Sequence, residues 1–312
     1  MKSMQESAPR AFVYALRSVQ FGVVDLDAAM DFFSGPWGLE VTARTTSSVY
    51  LRAAGASGYA IGLHQRDKTE VLRADFRAAS RAALEERRAV LQAQGVQVGA
   101  LAPLSEPGGG YGLSFRDPEG RLIMLVADDA RDPVEATRND APLKLSHLVL
   151  NTPQPDVLEK FYAGALGFRV VDRTRKMFFL NCNSDHHTIA VVPSDVSTLH
   201  HLAFEMSGFD AVMRGIGRMR DAGFNIGWGV GRHGPGNNIF AYFSGFEGLP
   251  LEYTAEVQQI DEAYAPGSVD KWVPQPGRSD QWGAAGPPSK EMKDAEHSVP
   301  FSSEAFVAPP AG

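Results

Sequence analysis

Apolar and polar residues alternate along many short runs of this chain, a pattern that predicts strands with one buried face. In the second half these runs predict strands at 143–151, 168–174, 177–182, 187–193, 200–206, 238–244 and 250–255. Two longer segments, Asp156 to Leu166 and Phe209 to Ala222, repeat apolar residues at helical spacing, and Gly223 is placed to cap the second. Short strands around two helices predict an α+β fold.

The chain also repeats itself at an offset of 128 to 129 residues, which is the strongest architectural signal in the sequence. Leu16 to Val41 matches Leu145 to Val170, and LRADF in the first copy matches HHLAF in the second. We therefore predict two tandem domains. Each is expected to contain two β-α-β-β-β modules that form curved mixed sheets around a pocket.

The predicted boundaries follow from this repeat. We expect an N-terminal domain at residues 10–128, a polar linker without periodicity at 129–142, and a second domain at 143–262. The remaining segment, 263–312, is rich in Pro, Gly and Ser, which favours mobility over about its last thirty residues. Trp272 and Trp282 indicate that part of it packs on the body.

Composition narrows the class of protein. With 312 residues and 44% hydrophobic content, the chain can build two ordinary cores, and no run approaches the roughly 18 apolar residues of a membrane span. A net charge of -7 without a Lys/Arg cluster disfavours nucleic acid as a partner. No secretory signal follows the N-terminal MKSMQESAPR, and the lone Cys182 cannot form an intramolecular disulfide. These features predict a cytoplasmic protein, and we expect a homo-oligomer.

Three widely separated residues offer chemistry. His147, His201 and Glu252 lie one per predicted strand, in LSHLVLN, LHHLAFE and LPLEYTAE. Two neutral imidazoles and one carboxylate are the set that holds a divalent iron on one face and leaves the opposite positions open. If the strands are neighbours, alternation puts all three side chains on a shared inner face.

The repeat restricts this metal site to the second copy. The matching first-copy positions are Ser18, Arg73 and Met124, which are not a comparable ligand set for a divalent metal. Strand alternation turns His186 and His200 away from the shared face, so these two are expected to be satisfied core or surface residues. Six of the eight histidines lie in the second copy, at positions 147, 186, 187, 200, 201 and 233.

Four motifs of the second copy carry a family pattern, namely LSHLVL, DHHTIAV, LHHLAFE and GRHGPGNNIFAYFSGFEGLPLEYTAE. Their spacing matches as well, because His187 lies fourteen residues before His201, Tyr242 nine after His233, and Glu252 ten after Tyr242. On these motifs the chain resembles the type I extradiol ring-cleavage dioxygenases of the vicinal oxygen chelate superfamily, also called the glyoxalase/bleomycin resistance/dioxygenase superfamily.

The resemblance covers roughly residues 10 to 262 and implies Fe(II), or less often Mn(II), on His147, His201 and Glu252. The implied reaction is the extradiol (meta) cleavage of a catechol-type substrate by O2 in bacterial aromatic degradation. Both oxygen atoms would end in the ring-opened product. The implied partners are therefore a catechol and O2.

The resemblance also implies three catalytic residues, His187, His233 and Tyr242. His187, predicted on the inner face of the strand at 187–193, can accept a catechol proton and later return one. Tyr242 is a phenol donor suited to a catecholate oxygen. His233, at the end of a Gly-rich turn, is placed to hydrogen-bond near the same oxygen.

Two positions depart from the family pattern. Trp228 stands where several members carry an arginine, and Gly236 stands where others carry an aspartate. An indole offers apolar area and a stacking face, so we predict a substrate pocket formed by Trp228 and Phe240 that favours uncharged alkyl- or aryl-substituted catechols. Arg232 would restore the missing charge if its side chain turned inward.

Two other functions remain open from the sequence. One is a superfamily isomerase or thiol transferase of the glyoxalase kind, which takes ligands from paired modules and often uses a second carboxylate. The other is a non-catalytic protein that sequesters a small aromatic or an antibiotic in the same cup. Such a binding protein would need neither the metal ligands nor His187.

Overall fold

The structure is a computed structural model that describes residues 12–55, 58–130, 138–273 and 275–310. The first half contains β1 (Val13–Val23), α1 (Leu26–Ser34), β2 (Glu40–Arg44), β3 (Ser48–Arg52), β4 (Ile61–Gln65), β5 (Glu70–Ala78), α2 (Arg81–Ala93), β6 (Ala102–Pro103), β7 (Tyr111–Arg116) and β8 (Leu122–Ala127). The second half contains β9 (Lys144–Thr152), α3 (Pro155–Lys160), β10 (Arg169–Arg173), β11 (Phe178–Asn181), β12 (Ile189–Pro193), β13 (Thr198–Glu205), α4 (Phe209–Asp221), β14 (Trp228–Arg232), β15 (Ile239–Ser244), β16 (Pro250–Ala255), α5 (Lys290–Ala295) and β17 (Val299–Pro300).

Each half forms one mixed sheet, and the two sheets have the same strand order. The first runs β2-β3-β4-β1-β5-β8-β7-β6, and the second runs β10-β11-β12-β9-β13-β16-β15-β14, with β17 added on β13. In each sheet two β-α-β-β-β modules meet where β1 pairs antiparallel with β5, or β9 with β13. The α+β fold with two modules per half is confirmed, and the curved sheets stay open rather than closing into barrels.

Local sequence signals explain where the helices begin and end. The side chain of Asp25 accepts from the Ala28 N–H and so caps the start of α1, as Ser80 does for α2. Helix α4 ends as predicted before Gly223, whose φ of +89° suits glycine. None of the helices in the described part of the chain is long and apolar enough to cross a bilayer.

Two strand predictions need correction. β12 begins at Ile189 rather than at 187, so His187 lies in the loop that precedes the strand. β14, which was not predicted, covers Trp228–Arg232 at the edge of the second sheet. In its sequence WGVGR, Trp228 and Val230 alternate with glycines rather than with polar residues, so the apolar/polar contrast of a half-buried strand is missing there.

Aromatic residues join the two halves. Trp37 follows α1 of the first half, yet it is fully buried and stacks on Tyr253 of β16 with 4.1 Å between ring centroids. The Tyr253 hydroxyl donates to the Trp37 carbonyl across 2.8 Å. Buried Arg121 adds a polar contact by donating to the Asn151 carbonyl at 2.6 Å. These contacts fix the second sheet against the first.

The segment between the sheets is only partly described, since residues 131–137 of the predicted linker lie outside the described ranges. Asp129, at the start of that linker, is buried and ion-pairs with Arg17 of β1 at 3.1 Å. Composition favours mobility over the last thirty residues, and the structure places residues 290–309 of that segment against the body. Phe306 packs on the His64 ring, with 4.8 Å between centroids, and Tyr50 donates its hydroxyl to the Pro309 carbonyl. Composition does not indicate this packing, because it does not show which distant residues lie next to Phe306 in the fold.

Candidate metal centre

A row of side chains crosses the second sheet at one level. His147 on β9 pairs with Ala203 on β13, Ala203 with Glu252 on β16, Glu252 with Tyr242 on β15, and Tyr242 with Trp228 on β14. Residues paired in this way point to the same face of a sheet. The small side chain of Ala203 leaves space in the middle of the row. His201, two residues before Ala203 on β13, faces the same space.

The three predicted ligands meet in that space. The Oε2 atom of Glu252 lies 3.1 Å from the Nε2 atom of His147 and 3.1 Å from that of His201. All three side chains are buried, and their ligand atoms lie within 4.8 Å of one another. Within the described ranges, this is the group of histidine, cysteine and acidic side chains that has metal-ligand geometry.

The positions of the donor atoms suit the coordination of a divalent cation better than hydrogen bonding among the three side chains. His201 Nε2 has no hydrogen-bond partner although Glu252 Oε2 is 3.1 Å away, because the two atoms are not aligned for such a bond. Two ligands at right angles around an ion with bonds of about 2.1 Å lie about 3.0 Å apart, close to the spacing seen here. The site therefore has the donor set and the spacing of a two-histidine, one-carboxylate metal centre.

Protonation also suits metal binding. Burial alone would raise the pKa of Glu252, but the adjacent rings of His147 and His201 lower it below its ordinary value, so the carboxylate is ionised. Burial lowers the pKa of His201, which keeps its imidazole neutral. Neutral imidazole and ionised carboxylate are the forms that coordinate metals.

Each ligating histidine is supported from behind through its other nitrogen. Ser146 Oγ lies 3.0 Å from His147 Nδ1, and His200 Nδ1 lies 2.8 Å from His201 Nδ1. Such partners orient metal-binding rings and fix their tautomers. His200 does turn away from the face that carries the predicted metal ligands, as predicted, but it contacts His201 directly. Its own Nε2 lies 3.9 Å from the carboxylate of Glu296 in the segment after α5.

Asn238 is a site residue that the sequence reasoning missed. It is fully buried, and its Nδ2 lies 3.5 Å from Glu252 Oε1 and donates to Thr254 Oγ1 at 2.7 Å. Asn238 precedes β15 and alternates with Phe240 and Tyr242, so period-2 spacing from those two inward residues is the signal that would have found it.

The structure brings the three predicted catalytic residues to the same face. The His187 ring lies 4.2 Å from the His147 ring, between centroids, although it reaches this place from a loop. His233 Nε2 lies 2.9 Å from the Tyr242 hydroxyl and 3.9 Å from Glu252 Oε1. Burial lowers the pKa of His187 well below its usual value and that of His233 to about 4, while burial and Glu252 raise the pKa of Tyr242.

The two predicted substrate-binding residues lie next to this cluster. Trp228 is half-buried and stacks on Tyr242 with 5.1 Å between centroids, whereas Phe240 is fully buried and stacks on His233 at 4.1 Å. The indole N–H of Trp228 donates to the Gly286 carbonyl. The indole N–H is therefore engaged within the protein, and Tyr242 covers one face of the ring.

Arg232 does not turn toward the metal ligands. It ion-pairs with Glu256, donates to the Asn237 carbonyl at 2.5 Å, and lies over the ring of Trp282 at 4.9 Å. Its charge is therefore already balanced on the outer side of the sheet. The Trp228 side of the site has no cation from this residue.

At the matching place in the first sheet, a guanidinium group stands where the second sheet has a ligand. Arg73 corresponds to His201 and donates to Asp75 Oδ1 at 2.5 Å and to Glu106 Oε1 at 2.7 Å. Ser18, which corresponds to His147, donates to Asp75 Oδ2 at 2.8 Å. A fixed positive charge of the chain itself is thus paired with the buried carboxylates there.

Known proteins share both this fold and this sequence. A model of the Glyoxalase/Bleomycin resistance protein/Dioxygenase superfamily matches residues 144–253. The solved structure of the Mn(II)-bound glyoxalase from Novosphingobium aromaticivorans is 36% identical, covers 90% of this chain and 94% of that chain, and gives a TM-score of 0.83. The chain belongs to this superfamily.

Two curated proteins are also similar to this chain. Metapyrocatechase 2 of Cupriavidus necator is 30% identical over 49% of this chain, and the match spans only 55% of that relative. Biphenyl-2,3-diol 1,2-dioxygenase of Metapseudomonas furukawaii is 26% identical over 81% of this chain and 89% of the relative. The second match extends over both sheets.

We predict one divalent metal per chain, and a severe loss of affinity in Glu252→Ala. Glu252 is the sole anionic ligand, and two neutral imidazoles cannot balance a divalent ion in a buried site, so we expect a fall of at least about a hundredfold. Metal analysis of protein reconstituted without O2, followed by titration of metal-free protein with Mn(II), measures both quantities.

The matched control is Glu256→Ala, which removes a carboxylate four residues away that pairs outward with Arg232. This variant should retain one metal with the affinity of the wild type. Full occupancy in Glu252→Ala, or two metals in each wild-type chain, would contradict the assignment.

Proposed function

We propose that the protein is an extradiol dioxygenase that opens the ring of a catechol with O2. The observation that carries this proposal is the shared face of the second sheet, where the three ligands meet His187 and the His233–Tyr242 pair. A two-histidine, one-carboxylate set with open positions is typical of non-haem Fe(II) oxygenases. The similarity to a metapyrocatechase and to a biphenyl-2,3-diol 1,2-dioxygenase supports the same function.

His147, His201 and Glu252 would hold the metal. When bound, Fe(II), or Mn(II) in its place, would supply Lewis acidity toward the diol oxygens and a route by which electrons of the catechol reach O2. Because Glu252 is the only anionic ligand, one positive charge of a divalent ion stays unbalanced. A catechol that binds as an anion offsets that charge, so the ligand set itself favours a deprotonated diol.

His187 is the residue that moves protons in this proposal. Burial keeps its imidazole neutral, so it can accept the proton that a catechol hydroxyl gives up on binding. The His187 imidazole lies against His147 in the same buried space. Once protonated, this imidazole can return the proton when the aromatic ring of the substrate opens. General acid and base steps of this kind contribute about 10² to 10⁴ in rate.

His233 and Tyr242 orient the substrate. The raised pKa of Tyr242 keeps its phenol protonated, so it can donate a hydrogen bond to a catecholate oxygen. His233 Nε2, 2.9 Å from that hydroxyl, fixes the direction in which the phenol points. Ala285 and Met292 of the C-terminal segment pack on Tyr242, Phe240 and Trp228 and exclude water from this side.

A second candidate is an isomerase of the glyoxalase kind, since the 36% identical relative is named a Mn(II)-bound glyoxalase. The same metal ligands and His187 would then polarise and deprotonate a hydroxy ketone. The single carboxylate among the three ligands favours the dioxygenase, because isomerases of this kind often use a second one. We also infer a cytoplasmic, homo-oligomeric enzyme, in keeping with a free and buried Cys182.

The protein reconstituted with Fe(II) should open a catechol and form a yellow product, and metal-free protein should not. His187→Ala should bind catechol with nearly unchanged affinity, but its single-turnover rate of ring opening should fall by about 10² to 10⁴ because the proton acceptor is lost. Absorbance of the product after mixing anaerobic enzyme and catechol with O2 separates binding from turnover.

The rival reaction is measured in parallel with the hemithioacetal of methylglyoxal and glutathione. Isomerisation of that compound without ring opening across a panel of catechols would overturn the proposal in favour of the isomerase. Tight binding of a catechol without either reaction would favour a sequestering protein.

Trp228→Arg should shift substrate preference toward catechols with a carboxylate on the side chain. Burying that carboxylate beside an indole costs on the order of several kcal/mol without a cation, and Arg232 is engaged by Glu256. The measurement is the ratio of kcat/KM for a 3-alkylcatechol to that for a carboxylate-bearing catechol. Val41→Arg, at an exposed position on β2 of the first sheet, adds the same charge away from the site and is the control that should leave the ratio unchanged. A wild-type preference for the acid by about tenfold or more would contradict the apolar pocket.

A further inference from the structure

A line of buried polar side chains lies behind His187, on the side away from the metal ligands. His186 Nδ1 lies 3.1 Å from His187 Nδ1, and His186 Nε2 lies 2.7 Å from Asp172 Oδ2. Asp172 and His186 are fully buried, and His187 is 4% exposed. His186 therefore turns away from the site as predicted, yet it is not an independent core residue, because it connects His187 to a carboxylate on β10.

The carboxylate at the end of this line is built to stay ionised. Asp172 accepts hydrogen bonds from the Tyr264 hydroxyl at 2.9 Å and from the Gly267 N–H, in addition to its contact with His186. Burial alone would raise the pKa of Asp172, but the hydrogen bonds from His186 and Tyr264 hold it below its usual value. A Cβ at Gly267 would lie 2.3 Å from Asp172 Oδ1, so only glycine permits this approach.

The charge of Asp172 determines where each imidazole carries its proton. An ionised carboxylate only accepts, so His186 must present Nε2–H to it. With this single proton on Nε2, His186 has a bare Nδ1, which can only accept from His187 Nδ1–H. His187 is left with a bare Nε2, and that atom points away from His186 because the two nitrogens lie on opposite sides of the ring.

We propose that Asp172 and His186 are positioning residues that hold His187 in the tautomer whose Nε2 is free to take a proton from the substrate, a role that rests on the proposed dioxygenase function. No bond to the substrate is assigned to either residue. Their effect passes through the orientation and the tautomer of His187, as partners of metal-site histidines act through the rings that they contact.

The direct test is the tautomer of His187 in the full-length Zn(II)-loaded protein, read from long-range proton–nitrogen NMR correlations of ¹⁵N-labelled histidines. Wild-type His187 should carry its proton on Nδ1. In Asp172→Asn the amide can donate to His186 Nε2. His186 then carries its proton on Nδ1 and donates to His187 Nδ1, so the His187 proton moves to Nε2. A wild-type His187 protonated on Nε2, or an unchanged tautomer in Asp172→Asn, overturns the proposal.

The matched control is Asp185→Asn, the same substitution next to His186. Asp185 binds Lys144 at 2.6 Å and Gln259 at 2.7 Å rather than the His186 ring. In Asp185→Asn, His186 and His187 should have the same tautomers as in the wild type. If Asp172→Asn does not fold, His186→Phe removes the same hydrogen bonds with a ring of similar size. The proposal is also overturned if His187 in that variant still carries its proton only on Nδ1.

Kinetics separate positioning from a structural effect. With a chromogenic catechol, Asp172→Asn should lower kcat by about 10² to 10⁴ and change KM by less than about threefold. In the His187→Ala background the same substitution should cost no more than about a further twofold, because its effect passes through His187. A large additional loss there would assign Asp172 a structural role. Since the NMR result does not depend on catechol turnover, failure of the dioxygenase function and failure of this inference are distinguishable.

Discussion

Two imidazole nitrogens and one carboxylate oxygen converge in a part of the second sheet that water does not reach. A carboxylate buried as fully as that of Glu252 costs on the order of several kcal/mol unless a cation lies beside it. The cost is offset when a divalent ion binds all three atoms. The three ligand atoms converge within the cross-strand row that runs from His147 to Trp228. The small Ala203 lies in the middle of that row, and a partner contacts each histidine ring from behind.

The repeat shows two solutions to the same constraint on one scaffold. In the second sheet the buried carboxylate has ligand atoms beside it, whereas in the first sheet Arg73 is paired with Asp75 and Glu106. Phe306 of the C-terminal segment lies over Arg73 at 5.5 Å and closes that side. The first sheet thus carries a permanent cation beside its buried carboxylates, whereas the second carries three ligand atoms.

The parts that followed from sequence are those set by short-range periodicity. Alternation within LSHLVLN, LHHLAFE and LPLEYTAE placed the ligands on one face, and the repeat offset predicted the two-module sheets. Alternation failed at His187 because the HHTIAV pattern begins before the strand does, and His187 lies in the preceding loop. It also could not pair His186 with Asp172, fourteen residues away on β10, since period-2 spacing gives the face of a side chain and not its partner. Phe306 packs on His64, Leu72 and Leu122, which are all distant from it in the sequence.

The most direct measurement of the central claim is the fate of labelled oxygen. Anaerobic Fe(II)-loaded protein would be mixed with a catechol and ¹⁸O2, quenched before exchange with water, and the product analysed by mass spectrometry. Ring cleavage by this site predicts that both ¹⁸O atoms appear in the ring-opened product, one on each carbon of the broken bond. A product without label, or with the ring intact, would contradict the account and leave the metal centre to a different reaction.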